Sequence, residues 1–373
     1  VLRGNGCDLP RQGESIRKGY TMKEMTSLER VRAVLNGELP DRVPVIPQGF
    51  MFCAANIGTK IGLINRDPKK MAESQIRTQE QFGYDGCVID VDDATLAEAC
   101  GARALFREDG VAIVDEEHPA LEDLRDIDSL TLPDPYRSGR LPEWLETTKR
   151  IMDAVGDHVF VMGRADQGPF DLLCLLRGAQ DFMMDLITEE PEVIQHALEW
   201  TTKAHIIFAN AMLEIAHCTS MGDSYAGPNL VSPATYKKFA LPYEQQVVQA
   251  VQTSTRPYSI HICGNTTKII DQMALTGSKI LEVDWQMDMG QARAAVPEHV
   301  VLMGNIDPSD PLVQGKPEDV DRKAKEIIER TRGRGLILSS GCAMGANTPP
   351  ENVAAMVAAA KKYGTHQQLL RMQ

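Results

Sequence analysis

The stretch 258–341 contains four short apolar runs: YSIHIC (258–263), ILEVDW (280–285), VVLMGN (300–305) and LILSSG (336–341). Each is too short for a stable helix and rich in Ile, Val and Leu. This is the signature of strands buried on both faces, as in a parallel sheet. Between and after them lie segments with helical spacing, 266–275, 317–331 and 350–362. The last two open on proline, which suits the first turn of a helix. Toward the N-terminus the alternation continues. TSMGDS (219–224), HVFVMG (158–163) and GCVIDVD (86–92) read as strands, and 192–216 and 233–252 as helices. The apolar residues 43–46, set between prolines, read as a first strand. Eight strands alternating with helices predict a (β/α)8 TIM barrel. An open doubly wound sheet is the runner-up, but no GxGxxG follows the first strand.

Two additions decorate the barrel. Thr26-Ser-Leu-Glu29 has the form of a capping box and starts a helix, so 22–42 is expected to form an N-terminal helical cap. ARALFREDGVAIVDEE (102–117) reads as an inserted β-hairpin turning at Asp109-Gly110. Residues 1–21 are polar and Gly-rich. They read as a flexible leader or expression remnant, or as an arm in an oligomer such as a homodimer, ahead of a single domain over 22–373.

With 43% hydrophobic and 24% charged residues, the 373-residue chain has a globular balance. Its net charge of −13 disfavours nucleic acid, whose phosphates it would repel. No apolar run approaches the roughly 20 residues of a membrane helix, and the first twenty residues lack the apolar centre of a signal peptide. The eight cysteines are scattered, which suggests a reducing, cytoplasmic setting without a disulfide framework.

The polar residues cluster where such a barrel does its chemistry, at the C-terminal ends of its strands. His261 and Cys263 end the fifth strand and, two apart, point to the same side. Cys342 immediately follows the eighth. The three meet only if the sheet curls round. Two thiolates and an imidazole suit zinc, and three protein ligands leave a position for a substrate, the catalytic pattern. Without that convergence they are simply buried core Cys and His. Asp223 ends strand four, Asp284 lies on strand six and Asn305 ends strand seven, and all three are candidate catalytic residues. Asp223 could partner His261, complete the metal site, donate a proton or merely cap a loop; Asn305 could bind substrate or hold its turn. The segment after strand one, QGFMFCAANIG (48–58), offers Phe50, Met51 and Phe52 as an apolar substrate wall. Arg164, just past strand three, is the clearest cation near the mouth, and Phe170 shapes the loop beyond it. Asp90, Asp92 and Asp93 read as a solvated acidic loop. His196, His205 and His217 read as helix residues.

HICGNTT (261–267), VLMGNIDPSDPLVQGKPEDV (301–320) and SSGCAMGANTPPENVAAM (339–356) resemble the uroporphyrinogen decarboxylase-like superfamily. So do LERVRAVLNGELPDRVPV (28–45), GPFDLLCLLRG (168–178) and NLVSPATYKKFALPY (229–243). The H-x-C and the distant Cys are similar to its zinc-dependent corrinoid methyltransferase branch, which includes methylcobamide:coenzyme M methyltransferases and demethylating methyltransferases. The decarboxylase itself has an arginine-rich loop after strand one, and PQGFMFCAANIG (47–58) has no arginine. The resemblance implies His261, Cys263 and Cys342 as zinc ligands. It also implies a corrinoid (cobalamin) carried by a separate corrinoid-binding protein, since the chain lacks D-x-H-x-x-G. Two directions follow. In the one ranked first, a methylated small molecule, for example an aryl methyl ether, gives its methyl group to Co(I). In the other, a methylcorrinoid methylates a thiol such as coenzyme M. A barrel with a purely structural zinc is a third reading, which would need a fourth strong ligand.

Overall fold

The computed structural model describes residues 24–89 and 92–373. The expected leader and Asp90 lie outside the described residues. In chain order the strands are β1 (Gly86–Ile89), β2 (Ala104–Leu105), β3 (Ile113–Val114), β4 (Phe160–Gln167) and β5 (Cys218–Gly222), followed by β6 (Tyr258–Ile262), β7 (Ile280–Val283), β8 (Val301–Ile306) and β9 (Leu336–Ser340). Seven of them form one curled parallel sheet in the order β1-β4-β5-β6-β7-β8-β9. Every residue of these seven is buried, as expected of a sheet covered on both faces.

The expected first strand is the exception. Pro44 has no N–H to donate, and Val45 N is taken by the Asp85 carboxylate at 2.7 Å. The segment makes one isolated parallel bridge, Val45 to Leu338 of β9. Ile46 N donates to Leu338 O and Leu338 N to Pro44 O, each at 2.9 Å, and Asp85 N donates to Val45 O at 2.6 Å. It therefore bonds to β9 on one side and to the residue before β1 on the other, without being a strand.

One end of the sheet is plugged. Thr26 and Glu29 form the expected capping box, and helix Ser27–Leu35 follows it. Its Leu28, Val31 and Leu35 pack with Phe160, Met303 and Ile337 of the sheet. Beside this apolar contact lies a buried ion network. Arg30 donates to Asp85 at 2.6 Å, Arg42 donates to the same carboxylate at 2.7 Å, and Asp85 also accepts from Val45 N. With this end closed, access to the sheet's interior is from the C-terminal ends of the strands.

The long helix Pro191–Ile215, helix Pro317–Thr331 and helix Pro350–Tyr363 lie close to their expected ranges. The region read as one helix over 233–252 breaks into Pro233–Phe239 and Leu241–Val251, because Pro242 opens a new first turn. β2 and β3 form the expected hairpin with Leu105 opposite Ile113, so the connection is seven residues and not a two-residue turn. In that connection the Phe106 ring lies under the guanidiniums of Arg66 (3.9 Å) and Arg140 (5.0 Å). No helix among the described residues is long and apolar enough to cross a membrane.

Candidate metal centre and cavity

β6 places His261 and Cys263 by the pleat, and its ladder to β5 continues past the strand, with Asp223 N donating to His261 O at 2.9 Å. Cys263 N donates to Ser224 Oγ (3.1 Å), which fixes the backbone where the thiol leaves the strand. Gly264, at φ +86°, then turns the chain in a conformation other residues rarely adopt. Cys342 arrives from the far side of the ring, just after β9. A side chain at Gly341 would strike Trp285 N at 2.4 Å, so only glycine lets the β9 end approach the β7 end this closely.

The expected convergence is present. His261 Nε2 lies 3.0 Å from Cys263 Sγ, which lies 3.6 Å from Cys342 Sγ, and the three ligand atoms fall within 4.8 Å of one another. Tetrahedral zinc with sulfur at about 2.3 Å and nitrogen at about 2.0 Å needs ligand–ligand edges of roughly 3.4–3.8 Å. The donor set fits zinc in chemistry, and the spacing is close to what the ion needs. His261 Nδ1 lies 3.2 Å from Glu282 O. A nitrogen facing a carbonyl carries the proton, so Nε2 is left with its lone pair toward the sulfurs. The hydrogen bond to Cys342 draws the Cys263 thiol below its ordinary value, against its burial. The remaining described cysteines, among them Cys53, Cys87 and Cys100, are buried and unpaired by disulfides.

The centre opens on a cavity of about 950 Å³ between the strand ends and the hairpin. Phe50, Met51, Leu105, Val111, Ile113, Leu175 and Tyr225 supply its apolar wall. Phe50 and Met51 thus lie where the sequence suggested, although on a helix, Phe50–Asn56, and not in a loop. Phe52 does not join them. Two residues on from Phe50, it lies on the opposite side of the helix, packed on Phe82 at 5.7 Å in the core. Phe170 is likewise buried against Phe182, at 5.1 Å, away from the cavity. Arg164 does line the cavity, but from within β4, which runs on to Gln167, and it is buried and bonded to Glu282 at 2.8 Å.

Asp223, Asp284 and Asn305 are all buried. Asp223 Oδ1 accepts from Asp171 N, while the Asp171 carboxylate accepts from Ser224 N and Tyr225 N, each at 2.7 Å. The two residues lock the turn after β5 to helix Pro169–Arg177. Burial pushes both carboxyls well up, helped at Asp171 by the Asp223 charge and at Asp223 by the Glu244 charge. Asn305 Nδ2 donates to Asp284 O and Met287 O, which holds the turn after β7. None of the three is on the cavity wall, whereas Asp171 and Gln167 are.

The sequence reading took Asp92 and Asp93 for a solvated acidic loop, but both line this cavity and Asp92 is buried. Asp92 is bonded to Arg140, and it caps the following turn at Ala94 N. Asp93, beside it, faces the cavity, with Gln167 Nε2 at 2.6 Å. Asp115, Glu116 and Glu117 close the wall from the hairpin. Asp115, Glu117 and His118 bring ligand atoms within 4.8 Å of one another, but Glu117 and His118 are solvent-exposed. The signal available in sequence was a pair of aspartates at a strand's C-terminal end, the place where such sheets carry function.

The profile of uroporphyrinogen decarboxylase (URO-D) matches residues 26–363. Among curated proteins the chain is similar to methylcobamide:CoM methyltransferase MtbA of Methanosarcina mazei, 29% identical over 92% of this chain and 99% of that one. It is 28% identical to methylcobamide:CoM methyltransferase MtaA of Methanosarcina barkeri, with the same coverage. It is 29% identical to a uroporphyrinogen decarboxylase of Parasynechococcus marenigrum over 80% of this chain and 84% of that one. Among solved structures it superposes on a methyltransferase from Methanosarcina mazei with a TM-score of 0.83 and 28% identity, over 91% of this chain and 99% of that one. A fold of the same kind, at 11% identity and a TM-score of 0.53, occurs in a B12-independent methionine synthase from Shewanella. With nearly its whole described length matched, the chain belongs to the uroporphyrinogen decarboxylase family.

Proposed function

We propose that the protein is a zinc-dependent methyltransferase that moves a methyl group from the corrinoid of a separate protein to a small thiol. The observation that carries this reading is the meeting of His261, Cys263 and Cys342 at the floor of the 950 Å³ cavity. The relatives named methylcobamide:CoM methyltransferases, spanned over 99% of their length, favour the thiol direction over demethylation of an aryl ether. So does the loss of Phe52 and Phe170 from the wall that an aromatic donor would have used. In this reading the curled sheet, with segment 43–46 bridging its two edges, serves as a (β/α)8 barrel.

When bound, zinc supplies the charge that keeps a substrate sulfur deprotonated. The chain's own residues set the geometry. Glu282 O orients His261, Ser224 fixes Cys263, and Phe50, Met51 and Ile113 keep water from the reacting atoms. The sulfur's lone pair forms the new S–C bond. The cobalt–carbon bond of the methylcorrinoid breaks with its electron pair remaining on the corrinoid, which leaves with its carrier. The two reactants must face each other across the methyl group, in line.

The test is transfer from methylcobalamin to 2-mercaptoethanol by the zinc-loaded protein, followed by cob(I)alamin absorbance and the methyl thioether formed. Cys342→Ala is expected to bind less than about a third of the wild-type zinc and to slow transfer by about 100-fold or more, with an unchanged far-UV spectrum. Full zinc content in that variant would refute the ligand assignment. Turnover only with methylated donors and cob(I)alamin would reverse the direction.

A further inference from the structure

The walls of the cavity differ sharply in charge. Carboxylates outnumber guanidiniums among the lining residues six to two, and no lysine lines the cavity. Both guanidiniums are bonded to carboxylates: Arg164 to Glu282 at 2.8 Å inside the sheet, and Arg103 to Asp115 at 3.3 Å on the hairpin. Of the carboxylates, Asp92 is neutralised by Arg140. Asp93 is different. It accepts a hydrogen bond from the neutral amide of Gln167, and it faces the cavity that His261 and Cys263 also line. Its side chain is solvent-exposed, and desolvation by the surrounding wall and then the Asp92 charge raise its carboxyl above the ordinary value against the charges of Arg164 and His261. Glu116 adds a second carboxylate from the hairpin side, and Tyr225 offers an aromatic face nearby.

A sulfonate or carboxylate entering this space would meet like charge in a partly desolvated pocket. An ammonium group would meet the carboxylates of Asp93 and Glu116. The zinc centre does not reverse this, because two thiolates cancel the charge of the ion. We propose that the cavity selects a small thiol whose far end is cationic, an aminothiol, and discriminates against thiols ending in sulfonate or carboxylate. This rests on the reading that a thiol binds at His261, Cys263 and Cys342. It separates the chain's specificity from the coenzyme M named for its relatives.

The experiment uses three thiols of equal length: 2-aminoethanethiol, 2-mercaptoethanol and 2-mercaptoethanesulfonate. Binding is read directly, from the thiolate-to-metal absorption of the cobalt(II)-substituted protein, and methyl transfer is measured on the zinc form. The expected result is that the aminothiol binds at least about tenfold more tightly than the sulfonate, with the neutral thiol between them. In Asp93→Asn that ratio should fall about tenfold. Differences in intrinsic thiol acidity are the same in both proteins and cancel in the comparison. The sulfonate binding as tightly as the aminothiol in the wild type would overturn the proposal while leaving methyl transfer to thiols intact. If none of the three perturbs the cobalt spectrum, the thiol reading itself fails, and the selectivity proposal with it.

Discussion

Arg164 and Glu282 meet inside the curled sheet, one residue from β4 and one from β7, and Ser259 donates a further bond to Glu282 at 2.7 Å. Glu282 is also the residue whose backbone carbonyl orients His261. The Arg164 charge, together with the Ser259 bond, holds the Glu282 carboxyl below its usual value despite complete burial. Removing one partner therefore leaves a buried, uncompensated charge. Arg164→Met is expected to cost about 3–5 kcal/mol in urea unfolding. Arg164→Met combined with Glu282→Gln should cost clearly less than the sum of the single changes. Additive losses in that cycle would show that the two side chains are not coupled. Arg164 was legible in the sequence as a cation near the mouth. Its commitment to Glu282, 118 residues away, was not, because only the curvature of the sheet makes them neighbours.

Helix Pro191–Ile215 is tied to the sheet through His205. Its Nδ1 faces Gln167 O at 2.8 Å, and its Nε2 accepts from the Tyr258 hydroxyl at 2.5 Å. One nitrogen donates and the other accepts, so the ring is neutral, and burial depresses it to about 4. A depressed histidine binds protons in the unfolded chain before it does so in the folded one. Stability from this group is thus intact above pH 6.5 and is lost as the pH falls toward 4. Other buried groups titrate in the same window, so the clean measurement is a difference. The stability deficit of His205→Gln at pH 7.5 should shrink by about 2 kcal/mol at pH 5. A deficit independent of pH would mean that His205 is not held neutral. The helix and its apolar face were evident from sequence spacing. That this histidine serves as a strut followed only from which strand ends lie beneath it.

The whole molecule separates stability from chemistry along the strand direction. At one end, helix Ser27–Leu35 and the Arg30–Asp85–Arg42 network close the sheet over an apolar cluster. At the other, the half-buried Cys263 and Cys342 open on the cavity. A metal held at the open end, by residues just inside or beyond the strand ends, is not part of the core. Chelation by 1,10-phenanthroline should therefore abolish methyl transfer, lower the melting temperature by only a few degrees and leave the far-UV spectrum unchanged, with activity restored by added zinc. Cooperative unfolding on chelation would instead make the metal structural.

By itself the sequence determined the alternation of strand and helix, because burial on both faces requires unbroken apolar runs and proline marks where helices begin. It also determined the candidate metal ligands, since thiols and an imidazole at strand ends have a limited chemistry. Only the tertiary structure decided which polar residues share a space. Phe52 and Phe170 turned into the core because a helix and a packed ring pair placed them there. Asp223 and Asn305 became braces for turns because backbone groups from distant segments reached them first. The segment 43–46 stayed short of a strand because Pro44 has no N–H and Val45 N bonds to the Asp85 carboxylate. Asp93 came to face the cavity beside Gln167, which β4 brings near from 74 residues away. The physical reason is the same in each case: local spacing fixes what a residue can do, but the partner that satisfies it comes from a part of the chain that only folding brings near.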